Sequence, residues 1–258
     1  MKLTNKHSRI VIKIGSGVLS NQKGQIRTQV IQAIANDIAS INKNRKLIIV
    51  SSGAIAMGRK LINMHGDINL SESQALAAVG QIELMRSWKS AFQKHNIDIA
   101  QILLTPKEIQ TRKDANTAIK TINTLHDHKV IPVVNENDTT ATDEIQFGDN
   151  DLLSARLAKL FRADLLIMLS TVDGLHESFL NNGNLSQASL LKSVNKITPT
   201  IKKMAGRASQ LGKGGMISKI EAAQLILGMN SELVITRGDT PDPITKLRRN
   251  SLSTWFKK

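Results

Sequence analysis

Two hydrophobic patterns alternate along most of the chain. Short continuous apolar runs predict buried strands at 9–14, 47–50, 97–104, 130–134, 165–169 and 233–236. Apolar positions three or four residues apart predict helices over 26–44, 54–63, 71–94, 114–127, 150–161 and 216–227. Ser71 and Gln74 have the spacing of a capping box at the start of the third helix. The alternation predicts an α/β fold whose mainly parallel central sheet is covered on both faces.

Glycines and polar residues follow four of the predicted strands, at 15–17, 51–53, 135–149 and 170–174. Because the carboxyl ends of parallel strands meet at one edge of a sheet, we expect these loops to converge on one cleft. Glycine at a strand-to-helix turn allows a phosphate to approach the backbone, although it also serves in plain turns. No Walker or Rossmann motif is present, so phosphate binding would use another design.

Two lysines are placed to meet a phosphate. Lys13 interrupts an apolar strand two positions before Gly15, so its stem would be buried with the ammonium at the cleft mouth. The alternative is an edge-strand lysine that points to solvent. Lys219 would lie on the first turn of the helix that follows the glycines of 212–215. Together they could neutralise charge on a transferring phosphoryl group.

Carboxylates and amides crowd the segments 135–142 (NENDTTAT) and 147–151 (FGDND). One interpretation is a solvated loop whose side chains cap the next helix. The other is an amino acid site, in which Asp138 pairs with a ligand ammonium and Asn150 donates to a carboxylate.

The segments VIKIGSGVL, VSSGAIAMG, LAAVGQ, PVVNENDTTAT, GDNDLLSA and GKGGMISK, in this order, resemble the amino acid kinase family. Within the family, the NEND and GDND pair with the later GGMISK is similar to the branch that phosphorylates the side-chain carboxylate of glutamate. The resemblance covers the chain from about Arg9 to its end. It implies a three-layer α/β sandwich of the carbamate kinase-like type, ATP with Mg²⁺, and L-glutamyl 5-phosphate as product, the first step of proline biosynthesis.

The resemblance also implies a role for each site residue. Lys13, Lys219 and Asp151 would be catalytic, with Asp151 holding the two lysines, and no protein side chains would bind a metal. The substrate-binding set would be Ser52, Gly53, Asn135, Asp138, Asp149 and Asn150. The nucleotide-binding set would be Lys13, Gly15, Ser16, Ser170, Thr171, Asp173, Gly174, Lys213, Gly214, Gly215, Met216, Ile217, Ser218 and Lys219.

The chain departs from the family pattern at two nucleotide contacts. Ser170-Thr171 stands where Thr-Asp is usual, and Gly212-Lys213-Gly214-Gly215 stands where Gly-Thr-Gly-Gly is usual. We expect one kinase domain over 1–258, with a glutamate-binding lobe over about 1–172 and an ATP-binding lobe over about 173–258. We also expect it to lack the C-terminal PUA domain, a module of RNA-modifying enzymes that many relatives carry. A homodimer or tetramer and feedback inhibition by L-proline are further implications.

Composition narrows the possible partners and location. The net charge of +14 suggests nucleic acid, but aromatic residues make up only 3% of the chain and offer few stacking platforms, so we expect no nucleic acid partner. The absence of cysteine and of a long apolar segment favours a cytoplasmic protein that does not contact membranes. Two alternatives stay open: a kinase of the same family with another acceptor, and a basic binding protein that has lost turnover.

Overall fold

The structure is a computed structural model that describes residues 2–21, 24–64, 66–105, 107–140, 150–177, 190–206, 215–229 and 231–258. The strands are β1 (Arg9–Ile14), β2 (Lys46–Ser51), β3 (Ile99–Leu104), β4 (Ile131–Glu136), β5 (Leu165–Ser170), β6 (Ser193–Val194), β7 (Glu232–Arg237) and β8 (Thr254–Phe256). The helices are α1 (Ser16–Leu19), α2 (Thr28–Ile41), α3 (Ala54–Leu61), α4 (Leu70–Gln93), α5 (Asn116–Asp127), α6 (Asn150–Phe161), α7 (Pro199–Met204) and α8 (Met216–Leu227). Within these described ranges, 3-10 helices cover Asn42–Asn44, Lys107–Ile109 and Thr245–Arg248.

The strands form one sheet in the order β3-β4-β2-β1-β5-β7-β8-β6. All described pairings are parallel except that of β7 with β8. Strand β1 lies between β2 and β5, because the chain builds one half of the sheet before crossing to the other. The carboxyl end of β1 is therefore the point at which the strand order reverses, and ligands of such sheets bind at that edge.

Each face of the sheet has its own hydrophobic core. Residues of β1 alternate between the two cores. Ile10, Ile12 and Ile14 lie in the core that α2, α3 and α4 cover. Val11 lies in the core that α6 and α8 cover. Since neighbouring strand residues point to opposite faces, Lys13 lies on the same face as Val11. The sheet thus directs the Lys13 side chain toward α6 and α8.

Helices α3 and α4 cross without side chains between them at one point. A Cβ on Gly58 would lie 1.9 Å from the carbonyl oxygen of Leu76, and one on Gly80 would lie 1.8 Å from that of Ala54. Both distances are far below van der Waals contact, so the crossing requires glycine at both positions. Among the described helices, none combines the length and the apolar character of a membrane span.

The predicted capping box at the start of α4, Ser71 with Gln74, was wrong. The cap is Asn69, whose side chain accepts from the Glu72 amide at 2.9 Å, while the Glu72 carboxylate accepts from the Asn69 amide at 2.8 Å. Ser71 and Gln74 have the same three-residue spacing but lie inside the helix. Helices α1 and α7 and strand β8 were not predicted, since each is only three to six residues long. The division into two lobes stays a prediction.

Candidate active site

Three charged side chains meet at the carboxyl end of β1. Asp151, in the first turn of α6, is fully buried, and its Oδ1 lies 2.5 Å from Lys13 Nζ. Its Oδ2 lies 2.9 Å from Nζ of Lys219, in the first turn of α8. Lys13 and Lys219 are 5% and 8% exposed. The edge-strand alternative for Lys13 is therefore excluded, because β1 is paired on both sides.

Charge pairing dominates the electrostatics of this cluster. Burial alone would raise the pKa of Asp151, but the ammonium groups of Lys13 and Lys219 outweigh burial and hold that pKa well below its ordinary value. The carboxylate is therefore ionised throughout the physiological range. One negative charge between two positive ones leaves an excess positive charge in a nearly dry place, which suits an incoming phosphate.

Ser218, predicted to bind the nucleotide, contacts the buried carboxylate of Asp151. Its Oγ lies 2.7 Å from Asp151 Oδ2 and 2.9 Å from the carbonyl oxygen of Gly215, the residue that caps α8. Lys219 Nζ also lies 3.3 Å from the Gly215 carbonyl. Consecutive residues of α8 thus contact the same carboxylate, and no pattern in the sequence indicates the contact of Ser218.

Four polar side chains form a chain of hydrogen bonds beside the charged cluster. The Asn150 amide nitrogen donates to Ser52 Oγ at 2.8 Å and to Asn135 Oδ1 at 2.9 Å. The Asn135 amide nitrogen in turn donates to Gln81 Oε1 at 2.9 Å. This set, here called the amide relay, joins α4, β4, α6 and the loop after β2. The structure therefore brings together Ser52, Asn135 and Asn150, as predicted, and adds Gln81.

The relay determines which side-chain atoms of Asn150 are available to a ligand. The prediction has Asn150 donate to a ligand carboxylate, but its amide hydrogens are engaged by Ser52 and Asn135. Its Oδ1 is buried and has no hydrogen-bond partner within the described part of the chain. The group that Asn150 can offer to a ligand here is an acceptor.

Asp138 lines a cavity of about 230 Å³ with residues of α4, β3 and the end of β4. Burial raises the pKa of Asp138 to about 6. Gln81 lines the same cavity, whereas Ser52 and Asn150 are not among the described residues that do. A partly buried carboxylate with a raised pKa gains from a cation, because an ammonium restores the favourable energy that burial removed.

The predicted nucleotide residues that follow β1 and β5 face each other. Gly15 donates its amide to the Leu169 carbonyl at 3.1 Å, and a Cβ on Gly17 would lie 3.2 Å from the Thr171 methyl group. Ser170 is buried and Thr171 is exposed. The Asp173 carboxylate lies 3.3 Å from the Arg237 guanidinium.

Other predicted residues are structural neighbours or lie outside the described ranges. A Cβ on Gly174 would lie 2.3 Å from Thr254 Oγ1, so β8 packs directly on this glycine. Gly53 has a φ of 106°, which a residue with a side chain adopts at a cost. Met216 is buried and Ile217 partly buried in the α8 core, and Ser16 begins α1. Asp149, Lys213 and Gly214 lie outside the described residues.

A larger groove of about 810 Å³ lies between α2 and α4, beside Asp239 and Pro241. It is lined by none of the predicted site residues, so its size does not connect it with phosphate chemistry. Within the described ranges no cluster of three or more metal-ligating side chains occurs.

A model of the amino acid kinase family matches residues 8–237. The chain belongs to the amino acid kinase family. It is 43% identical to the glutamate 5-kinase of Agrobacterium fabrum, an alignment that covers 99% of this chain and 67% of the relative. It is 42% identical to the glutamate 5-kinase of Bradyrhizobium diazoefficiens, over 96% of this chain and 67% of that one. The chain thus spans about two thirds of the length of these relatives.

Two solved kinase structures share the fold. The isopentenyl phosphate kinase of T. acidophilum superimposes with a TM-score of 0.64, covering 96% of this chain and 99% of that one at 16% identity. The UMP kinase of Ureaplasma parvum gives a TM-score of 0.62 over 98% of this chain and 99% of that one, also at 16% identity. The predicted fold class, a mainly parallel sheet between helices, is confirmed.

Proposed function

We propose that this chain transfers the γ-phosphoryl group of ATP to the side-chain carboxylate of L-glutamate. The products are ADP and L-glutamyl 5-phosphate, and the reaction is the first step of proline biosynthesis. The family membership and the glutamate 5-kinase relatives support this proposal. The single observation that carries it is the buried Lys13–Asp151–Lys219 cluster, which supplies two ammonium groups at the strand edge where ligands bind.

The two lysines fit the needs of phosphoryl transfer. Negative charge spreads over the equatorial oxygens of the transferring group, and fixed cations in a dry site stabilise that charge without reorganisation. Asp151 holds both ammonium groups at 2.5 and 2.9 Å, so their positions are set before the phosphate arrives. Asp151 acts through the lysines and not on the reacting atoms.

The acceptor needs no general base. A glutamate side chain has a pKa of about 4.3, so the attacking carboxylate is already ionised at neutral pH. A carboxylate oxygen forms the new bond to phosphorus, while the bond between phosphorus and the bridging oxygen breaks and its electrons leave with ADP. Catalysis then depends on positioning and on the lysines.

Glutamate would be held by Ser52, Gly53, Asn135, Asp138, Asp149 and Asn150. Among these, Asp138 is suited to the substrate ammonium because its carboxylate is partly buried, with a raised pKa. Ser52 Oγ accepts from Asn150 and can still donate its own proton to a substrate carboxylate. The amide relay runs from Ser52 to Gln81 of α4, and Asn150 places it next to the Lys13–Asp151–Lys219 cluster.

Mg²⁺ would enter with ATP as part of the substrate. The Asp151 oxygens already face Lys13 and Lys219, and the described residues contain no ligand cluster that would replace them. Mg²⁺ commonly keeps water and is held through substrate phosphates, so this arrangement accommodates MgATP. The glycine turn at Gly215, the first turn of α8 and the loop 170–174 would receive the nucleotide.

The test is an ADP-release assay with MgATP and a panel of acceptors: glutamate, aspartate, acetylglutamate, carbamate and uridine monophosphate. Glutamate-dependent turnover supports the proposal, and its absence overturns it. Turnover with another acceptor would identify a different kinase of the same family. Homo-oligomer formation, inhibition by L-proline and a cytoplasmic location stay predictions.

A further inference from the structure

The amide relay has a direction that the backbone imposes. The Asn150 amide nitrogen lies 3.4 Å from the carbonyl oxygen of Ser51, in addition to its bonds with Ser52 and Asn135. A backbone carbonyl can only accept, so turning the Asn150 amide over would place its oxygen against the Ser51 oxygen. The nitrogen must therefore face this side, and Oδ1 must face the other.

The same direction passes along the relay to α4. Because Asn150 donates, Asn135 must present its oxygen to Asn150 and its nitrogen to Gln81. Gln81 must then present its own oxygen, at 2.9 Å from the Asn135 nitrogen. Only one arrangement of the three amides satisfies every contact. Without an acceptor at position 81, the Asn135 amide could rotate and set its nitrogen against that of Asn150.

We propose that Gln81 is a positioning residue for the amino acid substrate, which it serves by fixing the Asn135 and Asn150 amides so that Asn150 Oδ1 accepts from the ligand. An acceptor such as Asn150 Oδ1 binds an N–H donor of the ligand, and in an amino acid that donor is the ammonium group. Gln81 also lines the Asp138 cavity, so one side chain connects that cavity with the amide relay. The inference rests on the proposed function and adds to it a determinant on α4.

The test replaces Gln81 by methionine, which keeps the length of the side chain and removes the acceptor. Loss of one part-buried hydrogen bond of this kind should raise the KM for glutamate about tenfold. The KM for ATP and kcat should stay within about threefold of wild type, since the lysine cluster is untouched. Gln93→Met is the matched control, because Gln93 is an exposed glutamine of the same helix that lines neither described cavity and is not in the relay. It should leave all three constants unchanged.

A double-mutant cycle shows whether Gln81 acts through Asn135. In an Asn135→Ala background, Gln81→Met should cause no further rise in the KM for glutamate, since the bond it removes no longer exists. Three results would overturn the inference. These are a KM for Gln81→Met equal to that of the Gln93→Met control, independent effects in the cycle, or a loss of kcat in step with a lower melting temperature.

A second measurement does not need activity. In ¹⁵N-labelled protein the side-chain amide protons of Asn135 and Asn150 should exchange with solvent about tenfold more slowly than exposed amides, and Gln81→Met should remove that protection. Unchanged exchange would overturn the relay. If wild-type protein releases no ADP with glutamate, the proposed function fails, and the exchange experiment still decides whether Gln81 fixes the Asn135 and Asn150 amides.

Discussion

The buried carboxylate of Asp151 permits a quantitative test of the charged cluster. Asp151→Asn keeps the shape of the side chain and removes the negative charge that lies 2.5 Å from Lys13 and 2.9 Å from Lys219. Both lysines are at most 8% exposed, so neither reaches water without moving. Leaving a buried charge without its partner costs about 3–5 kcal/mol, a large part of a typical unfolding free energy of about 5–15 kcal/mol.

Urea unfolding at pH 7 measures this cost, with the fluorescence of the two buried tryptophans, Trp88 and Trp255, as the probe. The pH dependence has a definite sign. The pKa of Asp151 is lowered by folding, so its contribution is fully present above about pH 4, the unfolded pKa, and is lost as the pH falls through the folded value. The difference between wild type and Asp151→Asn should therefore stay constant from pH 5 to pH 8.

A matched variant separates charge from packing. Replacing the whole cluster, by Lys13→Met, Asp151→Leu and Lys219→Met together, leaves no unpaired charge and should recover most of the stability that Asp151→Asn loses. The triple variant should nevertheless be inactive. An unfolding free energy of Asp151→Asn within about 1 kcal/mol of wild type would refute the reasoning, because a buried unpaired charge costs more than that. So would a triple variant as unstable as the single one.

Four further predictions concern the acceptor site and the packing of α4. Lys219→Ala should lower kcat at least about a hundredfold with little change in the KM for glutamate. Asp138→Ala should raise the KM for glutamate with little change in kcat. Equal effects on both constants would contradict the division of roles. Below pH 6, kcat/KM for glutamate should fall about tenfold per pH unit as Asp138 protonates, and Asp138→Asn should remove this inflection. Because folding raises the pKa of Asp138, ionisation of this carboxyl group destabilises the folded protein as the pH rises through about 6. Asp138→Asn should therefore stabilise the protein at pH 8, by at most about 2 kcal/mol, and should not stabilise it at pH 4. Gly80→Ala should destabilise the protein by about 3 kcal/mol or more in urea, since its Cβ would meet the Ala54 carbonyl; Gly228→Ala, with 3.3 Å to its nearest neighbour, is the control and should cost far less.

The sequence predicts those elements best whose pattern is long and whose ends are marked. Helices α6 and α8 are predicted to the residue, because a polar turn or glycines precede each and apolar positions repeat through three turns. Strand β8 has three residues and takes its place from its pairing with β7 and β6. The start of α4 fails for another reason, since two overlapping pairs have the capping-box spacing and the local pattern does not choose between them.

The residues of the candidate site also differ in how well the sequence predicts them. Lys13 is conspicuous in the sequence because a charge inside an apolar strand needs a partner, but the partner, Asp151, is 138 residues further along the chain and was inferred only through the family resemblance. Ser218 and Gln81 lie in the segments GKGGMISK and LAAVGQ, but no local pattern indicates which side chains they contact. Their contacts join elements that meet only after folding, α8 with α6 and α4 with β4. Residue type therefore indicates which side chains carry charge, and topology decides which of them meet.

Neighbouring residues of α6 connect the two halves of the site. Asn150 bonds to the amide relay and Asp151 to the two lysines, so one helix start positions both the acceptor and the phosphoryl group. A change that moved this helix would disturb both halves, raising the KM for glutamate and lowering kcat together. Helix α6 packs its buried residues, among them Leu153 and Leu157, into the core beneath it, which resists such movement. A change at Gln81 should accordingly reach Asn150 through side-chain rotation alone, and an effect confined to the KM for glutamate would show that the helix stayed in place.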